Sequence, residues 1–477
     1  MTGQISVGGE LEKGLRLLLF RGGVSIVRGC GFGALQAAKK QTKVTQESNS
    51  MKTQYKKVTQ RATPTNYHHF KSLLGSACAI IGLLVGNAAY AHSLERIGNV
   101  FYIYMENHNW TQPNGNVDPS PSSGIEQIKG NPAAPFINSL IDPNSPMSAQ
   151  VSYTNNCYNV LATPSGINPS IHPSEPNYIW QEGGSNFGVF NDADPYSAAN
   201  VFDSPNISGL LQNHHISWKS YQEDADLVPT SGSVNHPPPN GLTSDVAPRD
   251  QCTVPLSSFS GTSASYTNPY NGSHQYNFAP KHDGQLFFTT TNGGTTTTPD
   301  YTTSNPEVPY YWPLQALAND LANDRVAKFN VITPNQFNDM HSGLSGGFTY
   351  HGVHYTDDAA LIAQGDNFLR TVVPMIMASK AYNHNSVIVI WTDETEAQNS
   401  ADTTRDDFNH SLMEIIISPL AKGHAYHNDS ITYTHSSDVI TLQEAFPIGP
   451  QQGHPFLGQT TMDAAGNHDY SDMFNNE

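Results

Sequence analysis

Residues 386–394, SVIVIWTDE, decide the fold. Val387, Ile388, Val389, Ile390 and Trp391 form an apolar, β-branched run of strand length that ends on two adjacent carboxylates, Asp393 and Glu394. Nearly three hundred residues earlier, NVFYIYMEN repeats the design and ends on Glu106 and Asn107. Continuous apolar runs of this kind belong to strands buried on both faces, and open α/β sheets bind ligands beyond the carboxyl ends of such strands. Two strands ending in oxygen-rich pairs can converge on one cation, which removes the cost of burying the carboxylates. Helix caps after strands are the alternative for either pair alone; the two pairs together with the Ser174 segment favour a metal.

Outward from these strands, elements alternate. A short strand is expected at 149–153, a helix from about Asn177, a helix over 207–214, a strand over 216–221, a helix over 312–323 and a strand over 328–333. A helix over 366–379 leads into the Val387 strand; a strand over 412–418 and a helix starting at Ser437 or Asp438 follow. Strands alternating with helices predict a three-layer α/β/α domain on a mainly parallel sheet. Residues 224–310, rich in Gly, Pro, Ser and Thr, predict a loop insertion over the active face.

The charge is uneven. Residues 1–91 hold 12 of the 23 Lys and Arg but only 3 of the 41 Asp and Glu, so the remaining 386 residues carry a formal charge of −27. That acidity argues against nucleic-acid backbones and anionic membrane surfaces. Met51 opens a basic stretch, the apolar run 73–86 follows, and Ala89-Tyr90-Ala91 gives an A-x-A cleavage pattern. Residues 51–91 are thus expected to be a signal peptide, with His92 the mature N-terminus and a periplasmic or secreted destination. An uncleaved anchor is the alternative, but the run falls short of the roughly 20 apolar residues of a spanning helix. Residues 1–50 are expected to be a gene-model extension or a disordered segment, leaving 92–477 as the catalytic domain. Of the cysteines at 30, 78, 157 and 252, the last two remain in the mature chain, as one disulfide or as two buried thiols.

His172-Pro173-Ser174-Glu175-Pro176-Asn177-Tyr178 places a serine between prolines before a helix. This is an ordinary capping turn or, beside the two dyads, a nucleophile whose hydroxyl a cation activates. The ordered series YMEN, HPSEPNY, SWKSYQED (217–224), APKHD (279–283), PNQFNDMH (334–341), WTDE (391–394) and ISPLAKG (417–423) resembles the bacterial and fungal phosphoesterase family of acid phosphatases and non-haemolytic phospholipases C, within the alkaline-phosphatase-like superfamily. The resemblance runs from about 99 to 446. It implies metal ligands at Glu106, Asn107, Ser174, Asp393 and Glu394, with Ser174 also the nucleophile, and a phosphoseryl intermediate. It further implies phosphoryl or leaving-group roles for His282 and His341, and contacts from His172, Lys281, Asp339 and His435. The all-oxygen ligand set favours Ca²⁺, Mg²⁺ or Mn²⁺ over zinc, a preference that histidines joining a second ion would weaken. Asp283, where relatives often carry Asn, and the Thr-rich stretch 284–310 depart from the family pattern.

The expected function is an exported phosphoesterase acting on small phosphate esters, foremost as an acid phosphatase. Alternatives are a phospholipase C-type diesterase acting on phospholipids and, more remotely, a non-catalytic secreted binding protein. Gly343-Leu344-Ser345-Gly346-Gly347 matches a nucleophile elbow but lacks the strand and helix that motif requires. His351 and His354 are spaced for a metal but sit in loop-like sequence.

Overall fold

The computed structural model describes residues 94–118, 124–158, 171–227, 254–264, 266–396, 410–458 and 468–475. The expected 1–50 extension, the 51–91 leader and Cys252 lie outside the described residues. A seven-stranded sheet is built from β1 (Val100–Met105), β2 (Val151–Thr154), β3 (Trp218–Gln222), β4 (Tyr311–Pro313), β5 (Phe329–Thr333), β6 (Val387–Thr392) and β7 (Glu414–Ile417), in the order β2-β7-β6-β1-β5-β3-β4. Only β7 runs against the rest. The parallel register sets Met105 opposite Thr392, so the two acidic dyads leave neighbouring strands at the same level.

Alternation along β1 explains the layers. Phe101, Ile103 and Met105 belong to one apolar cluster and Val100, Tyr102 and Tyr104 to another. The first face is covered by α1 (Pro135–Ile141), and the second by α2 (Glu175–Gly183) and α3 (Ile207–Asn213). Helices α4 (Ala316–Ala322) and α5 (Asp357–Met377) join α1, and α6 (His435–Ala445) joins α2 and α3. The result is the expected three-layer α/β/α arrangement. Among the described residues no helix is long and apolar enough to cross a membrane.

Three boundaries differ from expectation, each for a tertiary reason. Residues 311–313 form an edge strand instead of the start of a helix; Pro313 is tolerated there because an edge leaves one side of the ladder unpaired. Helix α5 starts nine residues before Asp366, because that carboxylate caps a different helix, accepting from the Phe136 and Ile137 amides of α1 at 3.0 and 2.7 Å. Helix α6 begins at His435, where Thr434 and Ser437 form a reciprocal capping box.

The disulfide expectation pairs Cys157 with Cys252, which lies outside the described residues. Cys157 is a free thiol, wholly buried in the second apolar cluster 3.7 Å from the Tyr470 hydroxyl oxygen, with its pKa pushed up by burial and then by Glu414 and Asp438. An apolar core suits a neutral thiol of this kind. The described part of 224–310 does more than cover a face. It includes a two-stranded hairpin (Phe259–Thr262 with Gln275–Phe278) and the fully buried Leu286, Phe287 and Phe288.

Candidate active site

Strand pairing delivers the first half of the site. Beyond Met105 and Thr392 the chain turns, with the Asp393 amide 3.3 Å from the Met105 carbonyl, and Glu106, Asp393 and Glu394 are all buried. The second half comes from α2. Ser174 sits at its N-terminus with helical dihedrals (φ −58°, ψ −47°), not the extended ones of a usual cap, and its side chain caps nothing. The hydroxyl points instead at the strand ends, donating to Glu106 Oε2 at 2.9 Å and lying 3.3 Å from Glu394 Oε1 and 3.4 Å from Asn107 Oδ1. Gly184 ends the helix in the left-handed region (φ 66°), where a Cβ would meet the Leu457 carbonyl oxygen at 2.4 Å.

Burial raises the Glu106 carboxyl to about 8 against the pull of Lys281 and Tyr178, and raises Asp393 well above its usual value, reinforced by Glu106 and Glu394. Carboxyls turned on each other in a dry site are costly to ionise, and a cation between them would remove that cost. With Asn107 and Ser174 they offer oxygen alone, which fits a hard divalent ion.

Around this core the expected residues divide. His282 is buried with Nε2 3.2 Å from Glu106 Oε1 and Nδ1 3.5 Å from Asp339 Oδ2. Burial, then Lys281 and His341, holds its pKa well below normal, so it is a neutral imidazole. The His341 ring lies 5.9 Å away and is held down to about 4, again by burial first and Lys281 second. Asp339 fixes this loop: its side chain accepts the His341 amide at 2.8 Å and its carbonyl accepts the Glu106 amide at 2.8 Å. Between them Met340 takes a φ of 87°, rare for a side-chain-bearing residue and typical of backbone held at a functional site.

His172, Lys281 and His435 each have a protein partner. His172 Nδ1 lies 2.7 Å from Glu394 Oε2 and orients that carboxyl. Lys281 is bound to Asp192, and the carboxylates of Asp192 and Glu106 outweigh burial to keep it charged. His435 stands behind the site, accepting from the Trp391 indole at Nδ1 (3.2 Å) and donating from Nε2 to the Asp393 carbonyl at 2.5 Å, so one ring nitrogen is spent on Trp391 and the other on the Asp393 backbone. Asp283 is buried, which raises its carboxyl to about 8, and it accepts from the Ser220 hydroxyl and the Gln222 side-chain amide.

Two residues of the site carried no expectation. Tyr178 donates to Glu106 Oε1 at 2.5 Å and stacks on His282 with ring centroids 5.1 Å apart. Its spacing of four from Ser174, on one helical face, was the available clue. Asp192 lies in a polar loop with no distinguishing pattern. The elbow-like serine is not a site: Ser345 is exposed, and Gly346 and Gly347, both at positive φ, lead into the hairpin Phe348–Tyr350/Val353–Tyr355. His351 and His354 are exposed on that hairpin.

The Phosphoesterase family profile matches residues 106–449, from the first dyad to just beyond α6. The chain belongs to the Phosphoesterase family. Phosphoesterase relatives with curated names include a phosphate-repressible acid phosphatase of Penicillium chrysogenum, 45% identical over 53 residues (11% of this chain, 12% of that one). An acid phosphatase of Aspergillus fumigatus is 25% identical over 170 residues (36% and 28%), and a probable acid phosphatase of Kluyveromyces lactis 23% over 205 (43% and 37%). The matches thus span well under half of each relative. Among solved structures, a protein in the alkaline phosphatase superfamily from Vibrio parahaemolyticus aligns at 10% identity with a TM-score of 0.35, over 75% of this chain and 69% of that one. Ps i-CgsB aligns at 12% with a TM-score of 0.40, over 79% and 76%. These distant likenesses add nothing to the architecture already described.

Proposed function

We propose that this phosphoesterase hydrolyses phosphate esters through Ser174, foremost as an acid phosphatase. One observation carries the reading: a buried serine hydroxyl, unused as a helix cap, meets Glu106, Asn107 and Glu394 at the ends of two parallel strands. Glu106, Asn107, Ser174, Asp393 and Glu394 would hold a divalent cation, which would supply positive charge to lower the hydroxyl's pKa and offset the negative charge of the phosphoryl oxygens. Ca²⁺, Mg²⁺ and Mn²⁺ suit this oxygen set.

Ser174 Oγ attacks phosphorus in line with the leaving oxygen, whose bond to phosphorus breaks, and water later cleaves the phosphoserine. His282 and His341, neutral at pH 7, offer N–H groups to phosphoryl oxygens or move a proton at the leaving oxygen. Lys281 adds a fixed positive charge beside them. Tyr178 keeps Glu106 oriented, and His435 does the same for Asp393. The N-terminal leader and the acidic mature chain support export to the periplasm or medium, a reading that N-terminal sequencing of the exported protein checks by a start at His92. A diesterase reading is favoured by Phe190, 56% exposed two residues before Asp192, since a lipid substrate needs an apolar rim.

A panel of p-nitrophenyl phosphate, bis-p-nitrophenyl phosphate and p-nitrophenylphosphorylcholine tests both. The monoester is expected to turn over fastest, and Ser174→Ala to lose roughly 10³-fold or more in kcat. Equal rates for the two proteins would remove Ser174 from the chemistry, and a preference for the choline ester would select the diesterase.

A further inference from the structure

Two residues after a glutamate of each dyad stands another side chain able to ligate a metal: His108 after Glu106, and Glu396 after Glu394. Because β1 and β6 end in register, these second-tier side chains also come together, and Asp358 in the first turn of α5 meets them. His108 Nε2 lies 3.4 Å from Asp358 Oδ1 and 3.8 Å from Glu396 Oε2, and ligand atoms of the three residues fall within 4.8 Å of one another. None of these residues belongs to the Ser174 site.

Two chemistries fit a histidine between two carboxylates. In an ion pair, a protonated imidazole closes on its partners at about 2.7–2.9 Å. Here one nitrogen faces both carboxylates at distances beyond that range. The His108 residue is 1% exposed, and among the described residues neither of its nitrogens, nor Glu396 Oε2, meets a partner in good hydrogen-bond geometry; with no cation between them, the Asp358 and Glu396 carboxylates outweigh burial and push the imidazole up to about 9. Ligands about 2.1 Å from a common ion stand about 3.0 to 4.2 Å apart, depending on the angle between them. The 3.4 and 3.8 Å separations lie inside that interval.

The surroundings hold the arms in place. Asp358 Oδ2 accepts the Glu126 amide at 2.7 Å, leaving Oδ1 turned to the cluster. The Asn109 side chain grips the Glu396 backbone in both directions, accepting its N–H at 3.0 Å and donating to its carbonyl at 3.2 Å. Such outer contacts orient ligands at metal centres. The Asp358 and Glu396 side chains remain 14% and 28% exposed, which leaves room for water in the other coordination positions.

We propose that His108, Asp358 and Glu396 hold a second divalent cation, of the borderline class that takes imidazole and carboxylate together, manganese or zinc. It ties the loops after β1 and β6 to α5 and so braces the backbone from which Glu106 and Glu394 project.

The test is a metal count. Metal-stripped full-length protein is dialysed against manganese chloride, and bound manganese is measured in wild type, His108→Gln, Glu396→Ala and Asp393→Asn, each checked for an unchanged circular dichroism spectrum. Two equivalents are expected in wild type and one in each variant. Glu396, partly exposed, guards against a folding defect in the buried His108 variant. If His108→Gln and Glu396→Ala both keep the wild-type count, the second site is overturned. One wild-type equivalent lost only in Asp393→Asn also overturns it and leaves the Ser174 centre standing. One equivalent lost only in the His108 and Glu396 variants supports it and removes the ion from the Ser174 centre.

Discussion

Two groups of buried carboxylates lie beyond the strand ends of one sheet, and they are satisfied in opposite ways. After β3, Glu223 and Asp224 are wrapped in donors. Glu223 accepts from the Asn335 amide and the Asn268 and Asn338 side chains, and Asp224 from Tyr266, the Asn335 side chain and the Asn277 amide. After β1 and β6, Glu106, Asp393 and Glu394 instead face one another and the Ser174 hydroxyl, with Asp339 close by. Both groups are buried, and burial raises Glu223 and Asp224 in the first and Glu106, Asp393 and Asp339 in the second. The difference is chemical: amides and a phenol complete the first group, whereas in the second carboxyl faces carboxyl around a serine hydroxyl, an arrangement that a cation would relieve. Glu223 and Asp224 serve the site indirectly, pinning Asn335 and Asn338 in the loop that carries Asp339 and His341.

The comparison breaks most readily at the metal. Dialysis against a chelator is expected to lower p-nitrophenyl phosphate turnover by roughly 10³-fold or more while far-UV circular dichroism stays unchanged, with divalent ion restoring the rate. Full activity in chelator would reduce the dyads to a structural cluster like that of Glu223. Asp393→Asn carries the same logic further: it should abolish turnover yet raise the midpoint of unfolding in chelator, because it removes a buried carboxyl that the fold must take up protonated, a cost that an uncharged amide does not bear. Loss of stability there would show that Asp393 supports the fold instead.

Glu223→Ala should do the reverse, destabilising the protein by about 2–4 kcal/mol in urea unfolding because the amides that donate to Glu223 lose their acceptor. A change below about 0.5 kcal/mol would contradict the network.

The smallest effect separates protonation in the folded and unfolded chain. Burial raises Glu182 to about 7, Asp283 to about 8 and Asp366 to about 6, all above the ordinary carboxyl range of the unfolded state. Between about pH 4 and pH 8 the folded protein therefore holds protons that the unfolded chain has released, and stability falls as pH rises through that window. Thermal unfolding at pH 5, 6.5 and 8 should show midpoints descending in that order. An ascending series would mean these carboxyls are ionised in the fold.

Much of this was legible along the chain because it is local. Strand composition marked β1, β5 and β6 almost to the residue, and adjacent acids at two strand ends marked the dyads. Where prediction slipped, one residue type was serving two purposes. Asp366 looks like a helix start but caps α1 from within α5, and Asp438 looks like another but accepts the Tyr102 hydroxyl at 2.8 Å. Lys281 and His435 carry the right chemistry for phosphate, yet their partners, Asp192 and the Asp393 carbonyl, are 89 and 42 residues away.

By itself, the sequence determined the α/β class, the strands that build the sheet and the residue types at their ends, since apolar runs and turn chemistry act over a few residues. Only the tertiary structure decided that Met105 stands opposite Thr392, and hence that Glu106, Asp393 and Ser174 share one space while His108, Asp358 and Glu396 share another. Register between distant strands and the entry of helices onto a sheet depend on packing across the whole core, and no short stretch of chain encodes that.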